Sequence, residues 1–259
     1  MHFSTRRHRG GRAVAGRIPA LRMSTLRKQF GDTVVVDDFT LEVPRGCVFE
    51  LIGPSGAGKS TVAYMAAGLL PPDAGSVDIF GLDVWEAPDC ANMLVGLLPD
   101  ESSAPSGVTG RAWLVHKGLS HGLGVVATFR RAEELLEACG LKGARNRQVG
   151  EYTPSMFKRL CLAAALMHRP ELLIADEPFE GVDQASAILI GAVLRDFVGA
   201  GGTVLLTGLA ARLSGDFPHH TRTIGDVSGE LRLPATRRRV EGDSPIPSPR
   251  HPAFLSAAC

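Results

Sequence analysis

The segment that most constrains this chain is the octapeptide at residues 53–60, which reads GPSGAGKS and is followed directly by Thr61. It is a complete G-x-x-x-x-G-K-[ST] phosphate-binding loop. Residues 47–52, before the loop, are apolar enough to form a buried strand, and residues 59–67 contain no Gly or Pro and suit a helix. This order of strand, glycine loop and helix predicts a P-loop within an α/β fold.

Such a loop binds phosphate for reasons that can be traced to single residues. Backbone N–H groups and the helix N-terminus point toward one anion, and glycines let the backbone approach it closely. Lys59 would reach the β- and γ-phosphates, and the Ser60 hydroxyl would ligate Mg²⁺. A glycine-rich surface turn with a chance lysine is the alternative, but the flanking segments favour the phosphate loop. The expected nucleotide contacts are Gly53, Pro54, Ser55, Gly56, Ala57, Gly58, Lys59, Ser60 and Thr61.

Composition narrows the class of protein. A chain of 259 residues with 44% hydrophobic and 21% charged residues can bury one large core, with room for a small inserted lobe. The net charge of +1 gives no global attraction to nucleic acid. The five cysteines are scattered without a C-x-x-C pair, which fits a reducing cytosol. No apolar run approaches the roughly 20 residues that span a bilayer, so any membrane-spanning part would belong to another chain.

The two ends differ from the rest. Residues 1–22 contain six arginines and no acidic residue. A twin-arginine export signal and a nucleic-acid-binding arm are two interpretations, but the stretch lacks an apolar core. Its composition favours a disordered leader, or translation that begins at Met23. Prolines, arginines and serines dominate residues 233–259, where we also expect disorder.

Between these ends the hydropathy pattern predicts alternating strands and helices, and residues 99–150 interrupt that alternation. Strands are predicted at 21–28, 39–43, 77–80, 92–98, 172–175, 203–206 and 221–224. Helices are predicted at 109–119, 130–139, 156–168 and 185–198. Because the two helices at 109–139 follow one another without a strand, the pattern predicts a small helical lobe inserted in an α/β core.

Two acidic residues follow the apolar strand predicted at 172–175. Asp176 would lie at the strand's C-terminal edge, next to the phosphate loop, and would hold Mg²⁺ through water. Glu177 would face the γ-phosphate and act as the general base. An ordinary strand capped by two solvated acids is the alternative. The upstream phosphate loop favours the catalytic interpretation.

The order of motifs resembles an ATP-binding-cassette ATPase, the nucleotide-binding subunit of an ABC transporter. The motifs run in sequence as KQFG at 28–31, the phosphate loop, VGLLP at 95–99, TGR at 109–111, YTPSMFKRL at 152–160, DEP at 176–178 and GVD at 181–183. The elements TGR and VGEY at 149–152 are similar to the subgroup that energises drug, antibiotic or ABC-2-type exporters. The resemblance implies a P-loop NTPase at 23–232, with a RecA-like core, an antiparallel β subdomain and a helical subdomain inserted at about 100–155.

The resemblance also implies roles for single residues. Phe30 would stack on adenine, and Thr153 and Ser155 of the signature loop would contact the ATP of a partner subunit. Asp183 would lie in the loop that faces the opposite ATPase subunit. The implied ligands are ATP and Mg²⁺, and the implied partners are a membrane-spanning permease and a second ATPase subunit, with no nucleic acid. The implied location is cytoplasmic, peripheral on the inner face of the membrane.

Three sites depart from the family pattern. Asp100 stands where a glutamine normally senses Mg²⁺ and the attacking water, and Leu209 stands where a histidine normally contacts the γ-phosphate. His219 and His220 lie too far along the chain to replace that histidine, and we interpret them as a surface pair. In the signature loop, Ser155 adds a Cβ where glycine allows close approach, and Pro154 has no N–H to donate.

These observations predict a transporter ATPase, with slow or partner-dependent hydrolysis and export as the expected direction. A regulatory subunit that binds ATP but hydrolyses it poorly is the alternative. A protein that acts on DNA or ribosomes is unsupported, because the sequence has no long coiled-coil insertion, second cassette or basic core face. The transported substrate would be chosen by the membrane chain.

Overall fold

Two sheets form the frame of this computed structural model, which describes residues 18–100, 107–208 and 218–224. The antiparallel sheet has the strand order β2-β1-β4-β5, and the parallel sheet has the order β6-β7-β8-β3-β9. The strands are β1 Leu21–Phe30, β2 Thr33–Val43, β3 Val48–Ile52, β4 Ala74–Ile79, β5 Leu82–Asp83, β6 Val95–Leu98, β7 Leu172–Ala175, β8 Thr203–Thr207 and β9 His219–Thr223.

Helices cover the parallel sheet and form the inserted lobe. Their bounds are α1 Lys59–Ala66, α2 Pro88–Leu94, α3 Gly110–Ser120, α4 Val125–Ala138, α5 Pro154–Ala165 and α6 Gln184–Gly199, with short 3₁₀ turns at Lys142–Ala144 and Val149–Glu151. No helix in the described ranges has the length and apolar character needed to cross a membrane. The α/β architecture with an antiparallel β subdomain and an inserted helical lobe confirms the predicted fold class.

Successive side chains of the central strands point to opposite faces of the parallel sheet, and this divides the interior into two cores. Leu173 and Ala175 of β7 face the core shared with the helical lobe, α5 and α6. Leu172 and Ile174 face the core shared with α1 and the antiparallel sheet. All four side chains are fully buried. A parallel sheet covered on both faces explains why this segment is apolar at every position rather than at alternate ones.

The structure corrects several predicted bounds; β2, for example, begins at Thr33, six residues before the predicted start. Residues 92–94 belong to helix α2, so only Val95–Leu98 is a strand. Pro88 in the first turn and Asp89 beside it favour a helix start, and a short apolar run does not distinguish strand from helix. Helix α4 begins at Val125, five residues before the predicted start, because its first turn exposes apolar side chains that blur the pattern.

The chain ends fall largely outside the described residues. The predicted leader overlaps them only at 18–22, where Leu21 and Arg22 are the first residues of β1. The predicted tail at 233–259 lies outside them entirely. β9 begins at His219, two residues before the predicted start.

Candidate nucleotide-binding site

The phosphate loop connects the C-terminal end of β3 to the N-terminus of α1, as predicted. Gly58 is the N-cap of α1 and adopts a left-handed conformation with φ 86°. A Cβ on Gly58 would lie 3.0 Å from the Val35 carbonyl oxygen, so glycine is required both for the turn and for the space. In the described residues no side chain caps this helix start. Its first N–H groups are therefore free to bind an anion.

Lys59 is held over the loop. Its side chain is buried, and its Nζ donates to the carbonyl oxygens of Gly53 at 3.1 Å and Pro54 at 3.2 Å. The same ammonium lies 3.3 Å from Glu177 Oε1. A buried ammonium at the mouth of a phosphate loop is placed to exchange these contacts for phosphate oxygens.

Asp176 lies where the metal was predicted, at the end of β7. It is fully buried, and its Oδ1 accepts hydrogen bonds from Ser60 Oγ at 3.2 Å and from Thr207 Oγ1. Among the described residues, its Oδ2 is buried without a hydrogen-bond partner. A buried carboxylate oxygen left without a donor is costly unless a cation completes it. Asp176 and Ser60 therefore fit a divalent ion.

The donor set favours Mg²⁺ over a cation held by protein alone. No group of three or more His, Cys, Asp or Glu side chains suited to a metal occurs in the part of the chain that the structure describes. Mg²⁺ is usually held by one or two protein oxygens together with phosphates and water. One carboxylate and one hydroxyl beside a phosphate loop match that pattern.

Glu177 has an unusual backbone and a close neighbour. Its φ is +45°, in the left-handed region that non-glycine residues rarely adopt, and its N–H donates to Thr207 Oγ1 at 3.0 Å. A Cβ on Gly208 would overlap Glu177 Oε2 and lie 2.9 Å from Glu177 Cδ. Strained backbone of this kind clusters at functional sites. Thr207 thus contacts both acids and Gly208 leaves space for the Glu177 carboxylate, although sequence reasoning assigned neither residue to the site.

Lys59, Glu177 and Gly208 line one open cleft of about 760 Å³, a volume typical of small-ligand sites. Its lining residues are Ile52, Gly53, Ser55, Lys59, Asp100, Glu177, Pro178, Phe179, Glu180, Thr207, Gly208 and Thr223. Phe30 is not among the described residues that line the cleft. That residue ends β1 with 49% of its surface exposed and with Lys28 Nζ 5.6 Å from its ring centroid.

Asp100 is engaged by a base that sequence reasoning did not assign to the site. Lys158 Nζ donates to both the carbonyl oxygen and Oδ1 of Asp100, each at 3.0 Å. The Lys158 side chain is largely buried, whereas that of Asp100 is 36% exposed. The acid at position 100 is thus paired with a lysine on α5. In the sequence, nothing links Asp100 to Lys158 except their opposite charges, which lie 58 positions apart.

The signature loop starts helix α5. Thr153 is the N-cap, and its Oγ1 accepts from the Met156 N–H at 3.2 Å. Pro154 occupies the first helical position, where its fixed φ favours a helix start. The Ser155 side chain is buried, and its Oγ accepts from the Asp183 N–H at 3.0 Å. The Ser155 hydroxyl therefore points into the protein and contacts the loop before α6.

The histidine pair predicted at the surface is partly exposed. His219 and His220 lie on β9, the last strand in the order of the described parallel sheet, and both are half-buried. His219 Nε2 lies 3.2 Å from Glu50 Oε2, and the His220 ring stacks on Phe49 with centroids 6.1 Å apart. Parallel pairing of β9 with β3 places the two histidines opposite Val48 and Phe49. Leu209 lies outside the described residues.

Comparison with proteins of known function places these observations in a family. The chain is 39% identical over 188 residues to the daunorubicin/doxorubicin resistance ATP-binding protein DrrA of Streptomyces peucetius, covering 73% of this chain and 57% of the relative. It is 38% identical over 208 residues to the Nod factor export ATP-binding protein I of Cupriavidus pinatubonensis, covering 78% and 64%. The chain thus spans about 60% of these relatives' length.

Solved structures share the fold. An ATP-binding subunit of an ABC transporter superposes with a TM-score of 0.71 at 23% identity, covering 79% of this chain and 85% of that chain. A dimeric ATP-binding cassette in a post-hydrolysis state, bound to ADP and Pi, gives a TM-score of 0.71 at 18% identity and covers 80% and 97%. The family model described as ABC transporter matches residues 36–180, more than half of the chain. The chain belongs to the ABC transporter family.

Proposed function

We propose that this chain is the ATP-binding subunit of an ABC exporter and hydrolyses ATP to ADP and phosphate in the cleft described above. The observation that carries the proposal is the buried Asp176 Oδ2 without a donor, beside Ser60 and at the end of the phosphate loop. The names of relatives that confer drug resistance or export Nod factor support the direction of transport. Phe30 would stack on adenine.

Each residue of the site would contribute a defined part of the chemistry. Lys59 would leave the Gly53 and Pro54 carbonyl oxygens and bind the β- and γ-phosphates. Ser60 and Asp176 would hold Mg²⁺, which neutralises phosphate charge when bound. Glu177, released from Lys59, would accept a proton from water as the water oxygen bonds to the γ-phosphorus and the bond to the bridging oxygen breaks.

The rate would depend on a partner. Asp100 is held by Lys158, and Leu209 offers no polar group to the γ-phosphate. Loss of one preorganised donor to a transition-state phosphate costs on the order of 3 kcal/mol. Replacing Leu209 by histidine would therefore raise phosphate release at least about tenfold. An unchanged rate would contradict the role assigned to this position.

The assembly would contain a membrane-spanning permease and a second ATPase subunit, with this chain peripheral on the cytoplasmic face. The ATPase unit would extend over residues 23–232, and its helical subdomain over about 100–155. Thr153 and the backbone at Ser155 would approach the partner's ATP, and Asp183 would lie in the loop that faces the partner subunit. The intact pair of Asp176 and Glu177 favours this hydrolysing subunit over a regulatory half that binds ATP without hydrolysing it.

Phosphate release by the purified chain, with and without a co-expressed membrane-spanning permease, tests the proposal. The Glu177→Gln variant is the control, because glutamine keeps the size of the side chain but cannot accept the proton. We expect release from the wild type that exceeds the control at least about 100-fold. Equal release from both chains in both conditions would refute the proposal.

A further inference from the structure

Two helix starts lie side by side and are joined by one serine. Thr153 caps α5, and Asp183 caps α6. Ser155, in the first turn of α5, lies between them with 7% of its surface exposed. The signature loop, residues 152–156, and the loop at 181–183 before α6 are therefore in direct contact within one chain.

The contact is a hydrogen bond between the Ser155 hydroxyl and the backbone of Asp183. Ser155 Oγ accepts from the Asp183 backbone N–H at 3.0 Å. The nearby Ser155 hydroxyl is also the largest cause that lowers the pKa of Asp183 to about 2. One buried hydroxyl thus holds the first residue of the α6 cap from the first turn of α5.

The remaining neighbours of Asp183 belong to the second helix or carry positive charge. Its Oδ1 accepts from the Ser186 N–H at 2.8 Å, and its Oδ2 accepts from Ser186 Oγ at 3.0 Å. Arg159 adds a favourable charge from α5. Arg159 Nη1 donates to the carbonyl oxygens of Cys139 at 2.7 Å and Gly140 at 3.2 Å, and these two hydrogen bonds fix the position of the guanidinium. Ser155 is therefore the side chain that hydrogen-bonds Asp183 from the signature loop.

We propose that Ser155 is a positioning residue that joins the signature loop to the 181–183 loop, so that both segments meet a partner ATPase subunit as one rigid unit. A glycine at this position, which the family resemblance implies, has no hydroxyl and cannot make the connection. The departure at Ser155 thus adds a contact within the chain. This inference rests on the proposed function, because it requires a partner subunit.

The hydrogen bond between Ser155 and Asp183 can be tested in the isolated chain, without a partner subunit. In the Ser155→Ala variant the Asp183 amide loses its acceptor and exchanges with solvent at least tenfold faster. Its carboxyl pKa, followed by NMR, rises from about 2 toward the ordinary value of 3.8. Ser120→Ala is the matched control, because Ser120 Oγ donates at 3.0 Å to the Lys117 carbonyl oxygen at the end of α3. Unchanged exchange and pKa in Ser155→Ala would overturn the inference.

A double-mutant cycle measures the functional consequence. ATP-dependent association with the partner subunit is measured in the Glu177→Gln background for Ser155→Ala, Asp183→Asn and the double variant. Asparagine caps helices as well as aspartate does, so the start of α6 is preserved. We expect each single variant to weaken association about tenfold, and the double variant to weaken it by less than the product of the two effects, because both changes loosen the same loop.

The outcomes separate the two proposals. If the effects of Ser155→Ala and Asp183→Asn add fully, or if Ser155→Ala associates as the wild type does, Ser155 does not act through Asp183 and the inference fails. If the unmodified chain neither binds ATP nor associates in its presence, the proposed function fails instead. Circular dichroism on each variant confirms that a weaker association does not reflect unfolding.

Discussion

Replacing Gly208 by alanine should impair hydrolysis while leaving the fold nearly intact. Gly208 has φ +94°, and an added Cβ would overlap Glu177 Oε2 and lie 2.9 Å from Cδ. The carboxylate would therefore be pushed from its place beside Lys59, from which it is now 3.3 Å away. Because the displaced atoms are the end of the flexible Glu177 side chain, the substitution moves the general base without forcing the backbone apart.

The expected magnitudes follow from this geometry. A non-glycine residue in the left-handed region costs about 1–2 kcal/mol of stability. Moving the general base by about 1 Å costs on the order of 100-fold in rate. Gly201 is the matched control: its φ is +99°, and no heavy atom of the described chain lies within 4 Å of its added Cβ. Gly201→Ala should show the same strain without the displacement.

The assay compares urea unfolding and steady-state phosphate release for the two variants. Both should lose about 1–2 kcal/mol of unfolding free energy. Only Gly208→Ala should lose about 100-fold in kcat, with nucleotide affinity changed by less than a factor of about three. If Gly208→Ala hydrolyses ATP as fast as Gly201→Ala does, the proposed role of the Glu177 position is wrong.

Three further predictions concern other parts of the molecule. Lys59→Ala should weaken nucleotide binding at least about 100-fold, because it removes the buried ammonium, and fluorescence titration with a labelled ATP checks this. Lys158→Met leaves the Asp100 carboxylate uncompensated in the cleft and should weaken ATP binding about fivefold, or ~1 kcal/mol. Adding Asp100→Gln should restore the affinity in isothermal titration, and failure to restore it would contradict the pairing. Burial, aided by nearby His121, lowers the pKa of His168 from 6.5 to about 4. Its contribution to stability is therefore complete above pH 6.5 and is lost as pH falls toward 4, by about 3 kcal/mol in all. Urea midpoints between pH 7 and 4 should fall less steeply in His168→Gln than in the wild type.

The parts of the site that are contiguous in sequence were predictable. The phosphate loop is a local motif whose chemistry depends on neighbouring residues, and α1 begins at Lys59 as the pattern predicts. The apolar run at β7 also has the predicted bounds, Leu172–Ala175, because a strand buried on both faces has a continuous apolar sequence. The acids that follow β7 then reach the loop through the parallel pairing of neighbouring strands.

The contacts between distant segments could not be predicted in the same way. Asp100 and Lys158 are separated by 58 positions, and Ser155 and Asp183 by 28. No periodicity links such pairs, since the packing of α5 against the end of β6 and the start of α6 brings them together. The departures at Asp100 and Ser155 suggested lost function in the sequence, whereas the structure gives each a specific partner.

Hydrolysis by Glu177 in this cleft determines which nucleotide the protein retains, and that nucleotide can be measured. Wild-type chain and Glu177→Gln are incubated with Mg²⁺, ATP and the permease, freed of unbound nucleotide, and their bound nucleotide is separated by chromatography. We expect ADP on the wild type and intact ATP on the variant. Equal fractions of ADP on both chains would contradict it.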